Sequence, residues 1–469
     1  MNGSDHMAGK FLGMVMTPLD VQVEGLDAVM DRIAATGATA ISTGRAVARE
    51  AASGAGHRAP PLDIDGYARV FDRPVWGKRE LMLESFTVDR PNMAMYDSTP
   101  YKPGWRDLPP GIDAETPDRI VEDARRRGWE VYVGASPLAV PGPAPDDQMR
   151  WPDGSAPDPA RRVARQGCPS APDVRAYAVA RVLDTVRAAA PVDGVCLDWL
   201  EYTTYLLEDH FACVGPHSLR HAEELGYDAG RIARDVTALW DWLHRLDGAA
   251  LEHAVAVSAG PSRLVDLLLR HPGWHDFLSF KRDVVRGLYA EIRSALDEHG
   301  YGDVKLVANG WAPPFNRSSG MDYAALSTTV QVVRPKMYTF HWSAMPRWYG
   351  ETLLNWNPDL GEGAVIKAVK RCFDLPDDND TPTLADYHIP GPDEEHPVHA
   401  RTFRDRVQEV ARQVDGRCPV MPLAHGYRPA AQWKRKLAIL RDCDIEGLWV
   451  QRYCYLSDEK LGILGDVWR

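Results

Sequence analysis

The segment Val192-Asp-Gly-Val-Cys-Leu-Asp-Trp-Leu-Glu-Tyr202 carries two acids, Asp198 and Glu201, three residues apart at the end of an apolar run. Three residues span at most ~10 Å, so these carboxylates can meet at either separation that glycoside cleavage uses. A close pair supplies a nucleophile and a proton donor; a wider pair admits a water between base and acid. On a strand, Gly194, Cys196 and Asp198 share one face while Val195, Leu197 and Trp199 share the other. The second set suits packing against outer helices, which turns Asp198 inward. Glu201 joins it only if the chain turns directly after Asp198. The plainer roles are a turn cap for Asp198 and a rim ion pair for Glu201.

Other apolar runs also end in hydrogen-bonding or ionisable groups: Asn309, Lys336 with Tyr338, His425, and Gln451 with Tyr453. Each is a candidate for holding substrate hydroxyls or steadying an acid's charge. Glu84, in Leu81-Met-Leu-Glu-Ser-Phe86, is a lone acid among apolar residues. It is a second candidate proton donor if burial raises its pKa, and a paired structural carboxylate otherwise. Fifteen Trp and seventeen Tyr are a heavy load, with Trp76, Trp105, Trp151, Trp199, Trp311, Trp342 and Trp348 in expected loops. Flat aromatic faces suit stacking on the apolar C–H faces of sugars, although any one Trp also serves ordinary packing. Trp199, beside Asp198, is the one included among the substrate-binding candidates.

These groups need a scaffold that brings distant strand ends together. Short β-rich runs alternate with amphipathic helical stretches, which predicts βα units and a parallel sheet. Eight strands are expected, at 11–17, 38–43, 130–135, 194–198, 304–309, 330–338, 419–425 and 447–453. Helical spacing of Leu26, Val29, Met30 and Ile33 marks one connecting helix, and residues 172–190 another. A ninth run, Ala254–Ser258, is read as part of a helical excursion. The fold class is therefore α/β, a (β/α)8 TIM barrel with long loop insertions, forming one domain over residues 8–469. In such barrels the active site gathers at the C-terminal strand ends. Residues 45–115, rich in Pro, Gly, Tyr and Trp, form a long insertion between strands 2 and 3, expected as an ordered flap.

Composition narrows the partners. The 469 residues are 45% hydrophobic and 26% charged, and the net charge of −12 is spread along the chain. Nucleic acid and anionic membrane both require clustered Lys and Arg, so neither is expected. No apolar run is long enough to span a bilayer. Residues 1–7 read as a remnant of cloning, and a cytoplasmic location is the default expectation. The seven cysteines are scattered without a CxxC pair, and His210 with Cys213 forms only a lone HxxC. No metal site and no disulfide framework are expected. The phosphate-binding glycine motifs, HExxH and GxSxG are all missing, so no cofactor is expected.

Cys168-Pro-Ser-Ala-Pro-Asp-Val-Arg-Ala-Tyr177 followed by Pro191-Val-Asp-Gly-Val-Cys-Leu-Asp-Trp199 resembles a stretch of the hypothetical glycoside hydrolase-like TIM-barrel family. Gly320-Met-Asp-Tyr-Ala-Ala-Leu326 and Arg334-Pro-Lys-Met-Tyr338 are similar to a second stretch. The resemblance covers residues 165–340 and implies a hydrolase-like barrel with an acid, here Asp198, ending the fourth strand. The chain departs from the pattern at Gln331 and Val332, where an Asp commonly precedes the Pro-Met-Tyr run, and at the inserted Lys336. The leading expectation is a glycosidase with a small or oligomeric glycoside as substrate, Asp198 as nucleophile, base or cation stabiliser, and Glu201 or Glu84 as donor. Two alternatives stay open: an isomerase or lyase of a sugar-like acid, with proton transfer by Lys336 or His425, and a non-catalytic sugar-binding barrel. A homo-oligomer also remains open.

Overall fold

In the computed structural model, residues 10–64, 66–158, 161, 166–249, 251, 261–373 and 383–469 are described. All eight expected runs form strands: β1 (Phe11–Val15), β2 (Ala40–Thr43), β6 (Glu130–Ala135), β7 (Gly194–Leu197), β8 (Lys305–Trp311), β9 (Val332–Met337), β10 (Leu423–His425) and β11 (Gly447–Gln451). They close a parallel barrel in the order β1-β2-β6-β7-β8-β9-β10-β11. Only the last three residues of the 419–425 run belong to β10, while Val420 makes a single bridge to Val333. The ninth run, 254–258, lies outside the described residues.

The alternation read on β7 holds in three dimensions. Cys196 packs inside the barrel with Tyr132, Val307, Leu423 and Trp449. Val195 and Leu197 pack outward, in the cluster that includes Val174, Ala178, Val182 and Val186 of the helix Pro172–Ala189. Glycine makes the bulky interior layer possible: a Cβ on Gly13 of β1 would sit 2.4 Å from the Trp449 ring. The stretch after β1 is two helices rather than one, Pro18–Glu24 and Leu26–Ala35, broken at Gly25 with φ of 86°. Val29, Met30 and Ile33 are fully buried, as their spacing predicts.

Between β2 and β6 the insertion builds an antiparallel sheet of its own, β3 (Ala46–Glu50), β5 (Leu81–Thr87) and β4 (His57–Ala59) in that order. Phe71, Val75, Leu81 and Leu83 of this segment share an apolar cluster with Tyr427, Cys454 and Tyr455, which follow β10 and β11. The insertion is thus seated over the C-terminal ends of barrel strands. Among the described residues, no helix is long and apolar enough to cross a membrane. All seven cysteines are free thiols.

Candidate active site

Strand register sets the site. Leu197 pairs with Ala308, Asn309 with Arg334, Trp311 with Lys336, and His425 with Gln451, so the candidate polar residues lie along one rim. Directly after Asp198 the chain turns sharply: Trp199 adopts φ of 60°, in the left-handed region that non-glycine residues rarely enter. This turn breaks the strand alternation and swings Glu201 back towards Asp198.

Lys336, from β9, joins the two acids. Its Nζ lies 2.7 Å from Asp198 Oδ1 and 3.5 Å from Glu201 Oε1. These are charge contacts without the alignment of hydrogen bonds. The ammonium also sits 4.2 Å from the centre of the Trp199 ring, a cation–π contact that holds the ring at the rim. The environments of the acids differ sharply. The Asp198 side chain is 38% exposed, whereas that of Glu201 is fully enclosed. Glu201 Oε2 accepts from Ser319 Oγ at 2.7 Å and from the Trp311 backbone N–H at 3.1 Å. Burial pushes the Glu201 carboxyl up to about 7, against the opposing pull of Lys336 and these two donors. The pair is therefore an open carboxylate and a sealed acid that holds its proton near neutrality, which is how two carboxyls acquire two roles.

An aromatic wall stands beside the pair. Trp199 and Tyr338 are half-exposed. Tyr205 packs behind Trp199 at 5.6 Å between ring centres and against Trp311 at 4.6 Å, with Trp348 beyond. Of the other loop tryptophans, Trp342 is buried beneath Arg406, Trp151 stacks on Trp240, and Trp76 lies exposed in the insertion. Trp105 lies under Arg90, so of the seven it is Trp199, with Trp311 and Trp348 behind it, that stands beside the two acids.

In architecture the chain has remote likenesses among solved structures. It is similar to a β-galactosidase from Marinomonas ef1 (11% identity, 94% of this chain and 54% of that one, TM-score 0.47). It is also similar to the catalytic domain of a β-amylase from Paenibacillus polymyxa (10% identity, 96% and 94%, TM-score 0.42). A third is a class V chitinase from Pseudomonas fluorescens Pf-5 (12% identity, 98% and 100%, TM-score 0.37). The chain spans about half the length of the β-galactosidase. Such distant likenesses assign neither substrate nor residue roles to this chain. No family model and no curated protein matches it.

The remaining candidates divide. Asn309 is buried and accepts a hydrogen bond from Arg334 Nε. His425 is enclosed against Tyr338 at 5.1 Å, and burial holds its pKa well below the usual imidazole value. Gln451 is half-exposed at the end of β11. Tyr453, by contrast, turns away: its hydroxyl donates to Glu24 at 2.9 Å, and Arg73 covers its ring. Glu84 stays on β5, where Arg49 at 2.8 Å and Arg106 at 3.4 Å flank it. The Arg49 hydrogen bond holds its carboxyl below the usual range, so it is the paired carboxylate of the plainer alternative. His210 and Cys213 face different partners, Tyr349 at 2.5 Å and Cys168 at 3.6 Å.

Sequence reading missed three residues behind the wall. His341 Nε2 lies 2.8 Å from Asp63 Oδ1, Asp63 Oδ2 lies 2.8 Å from Arg69 Nε, and His341 Nδ1 lies 3.4 Å from the Tyr205 hydroxyl. Burial would raise the Asp63 carboxyl, but Arg69 and His341 outweigh it and hold it below the usual value. Asp63 and Arg69 come from the insertion, where no periodic pattern marks them.

Proposed function

We propose that the protein is a glycoside hydrolase whose paired carboxyls are Asp198 and Glu201. The observation that carries this is Lys336 Nζ in contact with both acids, one open to the mouth and one sealed from it. Laid end to end, the two contacts bound how far apart the facing oxygens can lie. That limit accords with the close spacing, roughly 5–5.5 Å, of a retaining mechanism better than with the wider inverting one.

In this reading a sugar ring stacks on Trp199 and Tyr338, and Asp198 meets the anomeric carbon. The leaving oxygen needs a proton as its bond breaks. Lys336, whose Nζ is itself shielded in the resting site, turns from Asp198 to donate it, and Glu201 returns a proton to Lys336. Water then hydrolyses the glycosyl ester on Asp198, its proton passing back through Lys336 to Glu201. Protons balance over the cycle.

The Lys336–Asp198 contact also favours a second reading, a lyase or isomerase of a sugar acid in which Lys336 moves a proton on carbon. Product analysis by NMR separates the two. Incubation with a panel of aryl glycosides and oligosaccharides is expected to release a new reducing end, its first-formed anomer matching the substrate. An unsaturated sugar formed by elimination, or an isomerised one, in place of a saturated hydrolysis product would replace the hydrolase reading by the second.

A further inference from the structure

Beneath the antiparallel sheet of the insertion, above the ends of β1, β2 and β11, lies a cavity of about 320 Å3. Thr17, Asp20 and Arg452 line it from the barrel side, and His57, Arg58 and Phe71 from the insertion. Gln451 is in register with His425, so Arg452 follows one strand over from the Tyr338–His425 pair.

Arg452, like Arg334 and Arg428, makes no ion pair among the described residues, but of these three it is the one that lines the cavity. Three other arginines nearby have counter-ions: Arg69 with Asp63 at 2.8 Å, Arg45 with Asp89 at 2.7 Å, and Arg73 with Glu24 at 3.3 Å. Arg58 bonds to two backbone carbonyls and to Glu80. Arg452 makes no ion pair among the described residues; its Nε is shielded from solvent and has no hydrogen-bond partner, and its guanidinium lies 5.7 Å from the Tyr455 ring. The carboxyl that acts on it, Asp20, makes no ion pair with it, and Asp20 Oδ2 accepts from the Thr17 backbone N–H at 2.7 Å and hydroxyl at 3.0 Å. Arg334, inside the barrel, likewise faces an amide oxygen and the Trp449 ring rather than a carboxylate. Lys336, by contrast, lies against both Asp198 and Glu201. A partly buried guanidinium without a counter-ion is costly, and a ligand that supplies one recovers that cost. Its planar fork matches a carboxylate with two parallel hydrogen bonds.

We propose that this cavity is a subsite for a carboxylate-bearing sugar unit, of the uronic acid kind, whose carboxylate is received by Arg452. As a statement about substrate class it rests on the glycosidase reading; as a binding site it stands apart from it. Titration calorimetry with D-glucuronate, D-glucose and acetate tests it, on the parent chain, Arg452→Gln, Arg452→Lys and Asp198→Asn. Glucuronate is expected to bind at least tenfold tighter than glucose or acetate. Arg452→Gln should lose that margin, Arg452→Lys should keep only part of it, and Asp198→Asn should retain it. Thermal unfolding of each variant shows that it is folded, and Arg452→Lys, which preserves the charge, carries the test if the glutamine variant is not. Equal binding of glucuronate and glucose, or parental affinity in the folded arginine variants, would overturn the proposal. Acetate binding as tightly as glucuronate would overturn it too, leaving a simple anion site. Arg452-dependent glucuronate binding together with failure to cleave any glucuronide would leave the subsite standing and remove the hydrolase reading instead.

Discussion

Asp198 and Glu201 are separated by two residues and by very different surroundings, and each predicts its own signature. Asp198→Asn preserves volume and capping ability but not the charge that a glycosyl transition state requires. Turnover is expected to fall on the order of a hundredfold or more, about 3 kcal/mol of transition-state stabilisation, with unfolding nearly unchanged. Parental turnover in the folded variant would take Asp198 out of the mechanism. For Glu201 the signature is pH. Its folded pKa, about 7, stands above the ordinary 4.5. The protonated form is therefore favoured by folding, and stability from this group is complete below 4.5 and lost as pH rises through 7. The loss is on the order of 3 kcal/mol. Denaturant unfolding from pH 4.5 to 7.5 should show that slope in the parent and not in Glu201→Gln, which also isolates it from Asp20, raised by burial to about 6. The alkaline limb of the rate profile near pH 7 should likewise disappear with the variant.

At the scale of elements, the turn after β7 is the device that assembles the site. Trp199 adopts φ of 60° with its ring packed against Lys336 and Tyr205. A side chain in the left-handed region costs roughly 1–2 kcal/mol, which glycine does not incur. Trp199→Gly is therefore expected to be about 1 kcal/mol more stable than Trp199→Ala, while both raise KM through the lost ring. Chemical denaturation of the two variants checks the order, and equal stabilities would mean that the turn carries no strain. On β1 the constraint is space. Gly13→Ala drives a methyl into Trp449 and should cost about 1–3 kcal/mol with the active-site residues untouched.

Across the whole molecule, Asp63 ties the insertion to the barrel through His341 of the helix Thr339–Trp356. Removing one member of such an enclosed ionic set strands the others, so Asp63→Asn is expected to lose about 3–5 kcal/mol. The sign with pH follows from its depressed pKa: the contribution is present above the usual 3.8 and is lost as pH falls below it. Acid unfolding of the parent should therefore approach that of Asp63→Asn at low pH. A variant as stable as the parent at pH 7 would show that the insertion is held by apolar contacts alone.

Strand order, the eight barrel positions and the inward aim of Asp198 were legible in the chain itself, because period-two alternation and βα punctuation are local properties. So were Lys336 and Tyr338, which end a strand run. The partnership of Glu201 with Asp198 was visible only as a condition, since Lys336, which meets both acids and the Trp199 ring, arrives from a strand about 140 residues later. Glu84 and Tyr453 have the right types in the right places along the chain, yet Arg49 and Glu24 claim them. Asp63, Arg69 and Arg452 carried no signal, because charge pairing between an insertion and a barrel rim has no period. What the tertiary structure alone decided was which charges are balanced and which are not. That follows from long-range contacts and burial, and it is what separates an open carboxylate from a sealed acid and a paired arginine from a free one.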